Sequence, residues 1–215
     1  MNREIAIFAA GCFWGVQYYF DQVPGVTKTE VGYIGGKAEN PSYEQVSYEE
    51  TGHAEAVKIT YDPDAVIAGS LDADAMQGAG EQRTELYKDG TAKEQAESVT
   101  PQRAVSNGGV GGSADKQAAA LQVLLLQFFR MHDPTQMNRQ GPDVGRQYRT
   151  AIFYLDGKQK ATAQKIIDKL NREKFNGKIV TALEEAGKFW PAEEYHQKFT
   201  EKTGRGACHI DYAPV

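Results

Sequence analysis

Residues 4–15 read EIAIFAAGCFWG. Glu4–Ala9 is an apolar run of strand length, and Gly11 closes it. Beyond the glycine, Phe13, Val16, Gln17 and Phe20 fall at helical spacing, so a helix opens near Cys12 and stops before Pro24. A strand that turns through one glycine into a helix predicts a sheet with helices packed on it.

The remaining elements follow outward from that unit. Val26–Tyr33 reads as a strand ending in Gly35-Gly36, and Gly35 to Pro41 as loop. Ala54–Tyr61 alternates, with Glu55, Val57, Ile59 and Tyr61 on one face. Leu121, Leu124, Leu125, Phe128 and Phe129 mark a buried helical stripe. Arg139 to Gly145 is a Gly/Pro loop, Tyr148–Leu155 a strand, Ala161–Phe175 a helix and Ile179–Leu183 a strand. Pro191–Lys202 is a helix with proline in its first turn. The order β-α-β-β-α-β-α-β-α predicts a single α+β domain over residues 1–215, a two-layer ferredoxin-like sandwich with a mixed sheet.

One stretch has a different texture. Ser70 to Ala120 holds only seven larger apolar residues, with eight acids against five bases and the run NGGVGGS at 107–113. Such a segment buries too little apolar surface to offset its ordering entropy, which predicts a disordered insertion over 68–120 that is cut early by proteases. Lengthening a surface loop costs only about 0.6 kcal/mol per doubling.

Composition bounds the function. With Lys+Arg 24 against Asp+Glu 29, the net charge of −5 excludes broad phosphate-backbone binding, so no nucleic acid is expected. Two cysteines among 215 residues exclude a disulfide-rich secreted scaffold. No apolar run approaches the ~20 residues of a membrane span. The N-terminus ends its apolar run in GCFWG and not in a small-residue cleavage site, so the expected location is the reducing cytoplasm. The cysteines and the four histidines show no metal-ligand spacing, and YIGGK at 33–37 lacks the full phosphate-loop pattern.

Cys12 is the sharpest candidate for chemistry. A thiol at a helix start faces unpaired backbone N–H groups and the positive end of the helix dipole, which favour thiolate. A lone cysteine is more often a buried, inert one; the strand–glycine–cysteine–helix context argues for a nucleophile. Phe13 and Trp14 point about 100° apart, so at most one faces the deep core and the other can line an apolar wall beside the sulfur. Glu55 falls on the apolar face of its strand, where desolvation would raise its pKa and prepare a general acid. Taken alone, a strand-end glutamate turned to water is the commoner fate. Tyr43 and Tyr148 stand at loop–strand junctions, where phenols can donate to a developing oxyanion. With 11 tyrosines in the chain, ordinary packing is a strong alternative for each. Cys208, in GRGACH at 204–209, suits either a resolving thiol or an idle surface one.

The strings GCFWG at 11–15, GYIGG at 32–36, NPSYEQVS at 40–47, TGHAEAVKITYDP at 51–63, FFRMHDPTQMNRQGPDVGRQYRTAIFY at 128–154 and EEYHQKF at 193–199 together resemble the A-type peptide methionine sulfoxide reductases. That resemblance implies reduction of methionine S-sulfoxide, free or in oxidised proteins, to methionine. By the same resemblance Cys12 is the nucleophile, Phe13 and Trp14 hold the substrate methyl, and Glu55 is the acid. Tyr43 and Tyr148 bind the sulfoxide oxygen, and Asp143 helps build the site. Cys208 would resolve the Cys12 sulfenic acid as a disulfide that thioredoxin, or dithiothreitol, reduces. No bound cofactor and no metal is implied, and the enzyme is expected to be a monomer. Two departures stand out: the polar segment 68–120 lies where a short connection is expected, and Ala207 precedes Cys208 where a tyrosine is usual. The rival reading is a thiol switch that binds a partner on oxidation; it needs neither a buried acid nor an aromatic wall.

Overall fold

A computed structural model describes residues 3–71 and 112–206. A six-stranded mixed sheet runs in the order β7-β6-β1-β3-β2-β8. Its members are β1 (Glu4–Ala10), β2 (Val26–Ile34), β3 (Ala54–Tyr61), β6 (Thr150–Tyr154), β7 (Ala182–Glu185) and β8 (Trp190–Pro191). All neighbours are antiparallel except β6 and β7. A separate two-stranded ribbon pairs β4 (Arg139–Gln140) with β5 (Asp143–Val144).

The first strand is central because both of its faces can be buried. Ala6, Phe8 and Ala10 point into the main core, while Ile7 and Ala9 point to the opposite face. The main core is closed by four helices: α1 (Phe13–Phe20), α3 (Pro63–Leu71), α4 (Ser113–Met131) and α5 (Gly157–Leu170). Phe8 meets Phe20 and Phe128 at ring-centroid distances of 5.6 and 5.1 Å, so the first strand, first helix and long helix lock together. Truncating a ring so buried typically costs about 3–5 kcal/mol. The smaller second face is Ala-rich and is covered by Ala182, Ala186 and Phe189. This is the expected α+β two-layer architecture.

Several boundaries differ from the sequence expectation. Residues 68–71 and 113–120 of the expected insertion are helical, as the end of α3 and the start of α4, and Ala120 is fully buried. The run Ala118–Ala120 has no large apolar residue, but alanine is the best helix former and leads straight into the Leu121 stripe. Lys116 pairs with Asp64 at 2.7 Å and Gln117 donates to Glu4 at 2.5 Å, tying that first turn to α3 and β1. The rest of the expected insertion lies outside the described residues. Tyr148 does not open a strand; it ends a 3-10 turn, Arg146–Tyr148, before β6. Tyr43 opens a short helix, α2 (Tyr43–Tyr48), held by a capping box in which Ser42 accepts from the Gln45 amide. Asp156 caps α5, which therefore starts before Ala161, and a π turn at Asn171–Phe175 ends it. The expected strand Ile179–Leu183 forms later, as β7.

The expected helix Pro191–Lys202 is broken into β8, a 3-10 turn at Glu194–His196, and α6 (Phe199–Thr203). Tertiary hydrogen bonds outcompete the helix here. The Gln197 amide accepts from Val31 N–H at 3.0 Å and donates to Val31 C=O at 2.9 Å, so it extends the edge of β2 as a strand residue would. Lys198 adopts φ +56°, its N–H donating to Gln17 Oε1 at 2.6 Å and its ammonium reaching Asp21 and, at 3.0 Å, Thr29. Among the described residues no helix is long and apolar enough to cross a membrane.

Candidate active site

Gly11 takes φ +88°, a left-handed conformation that a side chain resists, and so turns β1 sharply into α1. The turn leaves Cys12 at the N-cap of an eight-residue helix, with its side chain buried. The next amide, Phe13 N–H, donates to Glu55 Oε2 at 3.0 Å. Glu55 lies only 2% exposed, on the same face of β3 as Val57, Ile59 and Tyr61. A carboxyl group is thus held against the residue beside the thiol, across 42 positions of sequence.

The loop before β3 is fixed from behind. His53 Nδ1 accepts from Gly36 N–H at 3.2 Å, so the proton is on Nε2, which donates to Ala38 C=O at 2.8 Å. Arg149, buried next to Tyr148, donates to Gly52 C=O and Arg146 C=O, both at 3.2 Å, and pairs with Glu184 at 3.3 Å. These ties set the start of β3 and the Tyr148 turn against one another. Gln147 reaches Ser47 C=O at 3.4 Å, joining the same turn to α2.

Both phenols are half-buried. Burial pushes the Tyr148 phenol up, and the charges of Glu55, Tyr43, Asp143 and Cys12 add to the shift. Burial raises Tyr43 as well, with Glu55 again the largest charge acting on it and Cys12 a further one. The two phenols therefore stay protonated at neutral pH and remain donors. The charges of Glu55 and Cys12 thus act on both phenols, and that of Asp143 on Tyr148. Asp143 belongs to the β4–β5 ribbon and is half-buried.

The aromatic pair divides as the helical angle requires. Phe13 is fully buried against Tyr33 at 5.9 Å, whereas Trp14 is partly exposed and stacks on Phe199 at 4.0 Å. Trp14 Nε1 donates to His196 Nδ1 at 2.9 Å. His196 is 1% exposed and is ringed by Phe13, Trp14, Tyr43 and Tyr195. Burial holds its imidazole below the ordinary range, against an opposing pull from Glu193. Glu193 accepts from Tyr43 N–H at 2.9 Å and from the Tyr33 hydroxyl at 3.0 Å.

Sequence reading gave His196, Glu193 and Tyr33 no role. His196 and Glu193 fall in EEYHQKF, and Tyr33 in GYIGG, so those strings were the only available signal. Cys208 lies outside the described residues. Two positions before it, Gly206 lies against Trp14: a Cβ there would be 3.0 Å from Trp14 Cε3. Among the described residues no three His, Cys, Asp or Glu side chains gather as a metal site.

The model of the family described as peptide methionine sulfoxide reductase matches residues 4–73 and 82–215. The stretch 82–120 therefore falls inside the family match, and only 74–81 of the expected insertion lies outside it. The chain is 39% identical over 206 residues to the peptide methionine sulfoxide reductase MsrA of Acidobacterium capsulatum, spanning 95% of this chain and 98% of that protein. It is 36% identical over 208 residues to the MsrA of Geobacter sulfurreducens, spanning 96% of each. Among solved structures it resembles methionine sulfoxide reductase A of Corynebacterium diphtheriae, with a TM-score of 0.66, 25% identity and coverage of 97% and 83%. Reduced Mxr1 of Saccharomyces cerevisiae shares the fold at a TM-score of 0.69 and 24% identity, with coverage of 98% and 91%.

Proposed function

The chain belongs to the peptide methionine sulfoxide reductase family, and from that premise we propose that it reduces methionine S-sulfoxide, free or within oxidised proteins, by thiol chemistry at Cys12. The observation that carries the reading is the 3.0 Å bond from Phe13 N–H to Glu55 Oε2, which holds an acid beside the thiol.

The substrate methyl lies against Trp14, with Phe13 behind it. The Cys12 sulfur, as thiolate, attacks the electrophilic sulfoxide sulfur. Glu55 gives its proton to the sulfoxide oxygen, and the Tyr43 and Tyr148 phenols donate to it as charge builds. Asp143 shapes the side of the site nearest Tyr148. The sulfur–oxygen bond breaks, the oxygen, released as water, attacks the Cys12 sulfur, and the sulfur–sulfur bond made in the first step breaks, so that methionine leaves, a proton is released and Cys12 is left as a sulfenic acid. The Cys208 thiol then displaces water from Cys12, forming a disulfide. Packing of Gly206 on Trp14 supports this step, since it brings the chain to within two residues of Cys208 beside the site. Thioredoxin, or dithiothreitol in its place, supplies the two electrons that reopen the disulfide. The reading uses thiols alone, without a resident cofactor or metal, in a monomer repairing oxidised proteins in the cytoplasm.

Two variants test it. Cys12→Ser should release no methionine, because a hydroxyl is far less nucleophilic at neutral pH. Cys208→Ser should release one equivalent of methionine per enzyme in a rapid-quench assay and then stall with thioredoxin. Sustained thioredoxin-dependent turnover by Cys208→Ser would remove the resolving role. Methionine formation by Cys12→Ser would remove the nucleophile.

A further inference from the structure

We propose that Glu193 is a positioning residue for the reduction: it sets where the Tyr43 phenol stands, from outside the reacting atoms. The inference rests on the reading that Tyr43 donates to the sulfoxide oxygen.

Tyr43 is the first residue of α2, so its amide has no partner within the helix. Glu193 Oε1 supplies one at 2.9 Å, while Oε2 accepts from the Tyr33 hydroxyl at 3.0 Å. The two oxygens thus bridge α2 to β2. The same carboxylate lies 4.0 Å from His196 Nε2, and His196 holds the Trp14 indole. One side chain therefore ties the residue that bears the phenol to the sheet, beside the histidine behind the aromatic wall. The N–H and O–H donors keep the Glu193 carboxyl below the usual range although burial opposes this, so both oxygens accept at neutral pH.

Besides the Tyr43 ring, which packs on His196 at 4.5 Å and on the main core, few contacts locate the helix. It spans six residues, and Val46 is its one buried side chain. Its C-terminal half has the Gln147 bond to Ser47 C=O; its first turn has Glu193. Loss of that bond frees the start of α2 to move, and displacement of a catalytic group by about 1 Å can cost on the order of 10²-fold in rate.

A double-mutant cycle on kcat separates positioning from general weakening. Glu193→Leu keeps the approximate size and removes both accepting oxygens, so the Tyr43 amide loses its partner. We expect kcat to fall about tenfold with KM changed less than about twofold. In a Tyr43→Phe background the same change should lower kcat by less than about twofold, because the hydroxyl it positions is gone. Alkylation of Cys12 by iodoacetamide, followed on its own peptide, should keep its wild-type rate. Tyr33→Phe, which loosens Glu193 from its other oxygen, is the second variant if Glu193→Leu fails to fold; it should lower kcat in the wild type and not in Tyr43→Phe. Losses that multiply with Tyr43→Phe, or no loss at all, overturn the proposal. Full activity of Tyr43→Phe by itself overturns both the proposal and the role given to that phenol, so the two failures are distinguishable.

Discussion

Under the proposed mechanism, Glu55 is the residue on which the chemistry turns most directly. Glu55→Gln preserves the acceptor for Phe13 N–H but removes the acid proton. Turnover should fall roughly 10²-fold or more, the usual scale of general acid catalysis, while KM changes much less. A steady-state comparison that found KM alone affected would assign Glu55 to binding. His196 makes a different prediction, about stability. Its imidazole is held below 6.5 by burial, with the Glu193 charge opposing. As pH falls, the unfolded chain takes up the His196 proton first and binds more protons than the folded chain, so the contribution present above 6.5 is lost on the way down. His196→Asn keeps an acceptor for the Trp14 indole and removes this titration. Its loss of stability between about pH 7 and pH 5, read from urea midpoints, should be shallower than that of the wild type; equal slopes would mean His196 takes up its proton alike in the folded and unfolded chains. At this scale Cys12 and Glu55 were legible because each occupies a marked place in a periodic pattern, a helix start and an alternating strand face. His196 and Glu193 were not, because their partners lie 182 and 150 residues away and leave no periodic trace.

Short elements carry much of the site, and they are where pattern reading is weakest. The six residues of α2 give too little period to be distinguished from a loop–strand junction. The segment after Pro191 has apolar residues at helical spacing, but Gln197 and Lys198 are satisfied by Val31 and Gln17, which no local pattern reports. The pairing of β8 with β2 depends on Gly32. A Cβ there would lie 2.3 Å from Trp190 C=O and 2.6 Å from the Phe189 ring, so a side chain must push β8 away. Gly32→Ala should destabilise the fold by about 1–3 kcal/mol, measured by urea unfolding. Because Glu193 lies two residues beyond the end of β8, kcat should fall too. A variant that unfolds like the wild type would show that β8 yields without strain.

For the molecule as a whole, every residue given a part in the first chemical step lies in 12–55, 143–148 or 193–196. The segment 72–111 contributes none of them. Replacing it with a flexible linker of about ten Gly and Ser residues should leave dithiothreitol-dependent methionine formation within about twofold, since loop length changes closure entropy only slowly. Loss of folding would show that the segment belongs to the core. The two-layer class was readable from the order of strands and helices. The strand order was not: β1 at the centre and the parallel β6–β7 pair are set by long-range packing on both faces of β1. The contact of Gly206 with Trp14 has a kinetic meaning at this scale. Two more residues of chain reach at most about 7 Å, so under the proposed mechanism the second thiol is tethered to the very wall that receives substrate. A short tether gives an effective concentration in the millimolar range, against which a dilute oxidant competes poorly for the same sulfenic acid. The segment that carries Cys208 would then protect Cys12 from its own reactivity, and lengthening it with Gly-Ser pairs after Gly206 should raise the fraction of enzyme lost to sulfinic acid per turnover in peroxide.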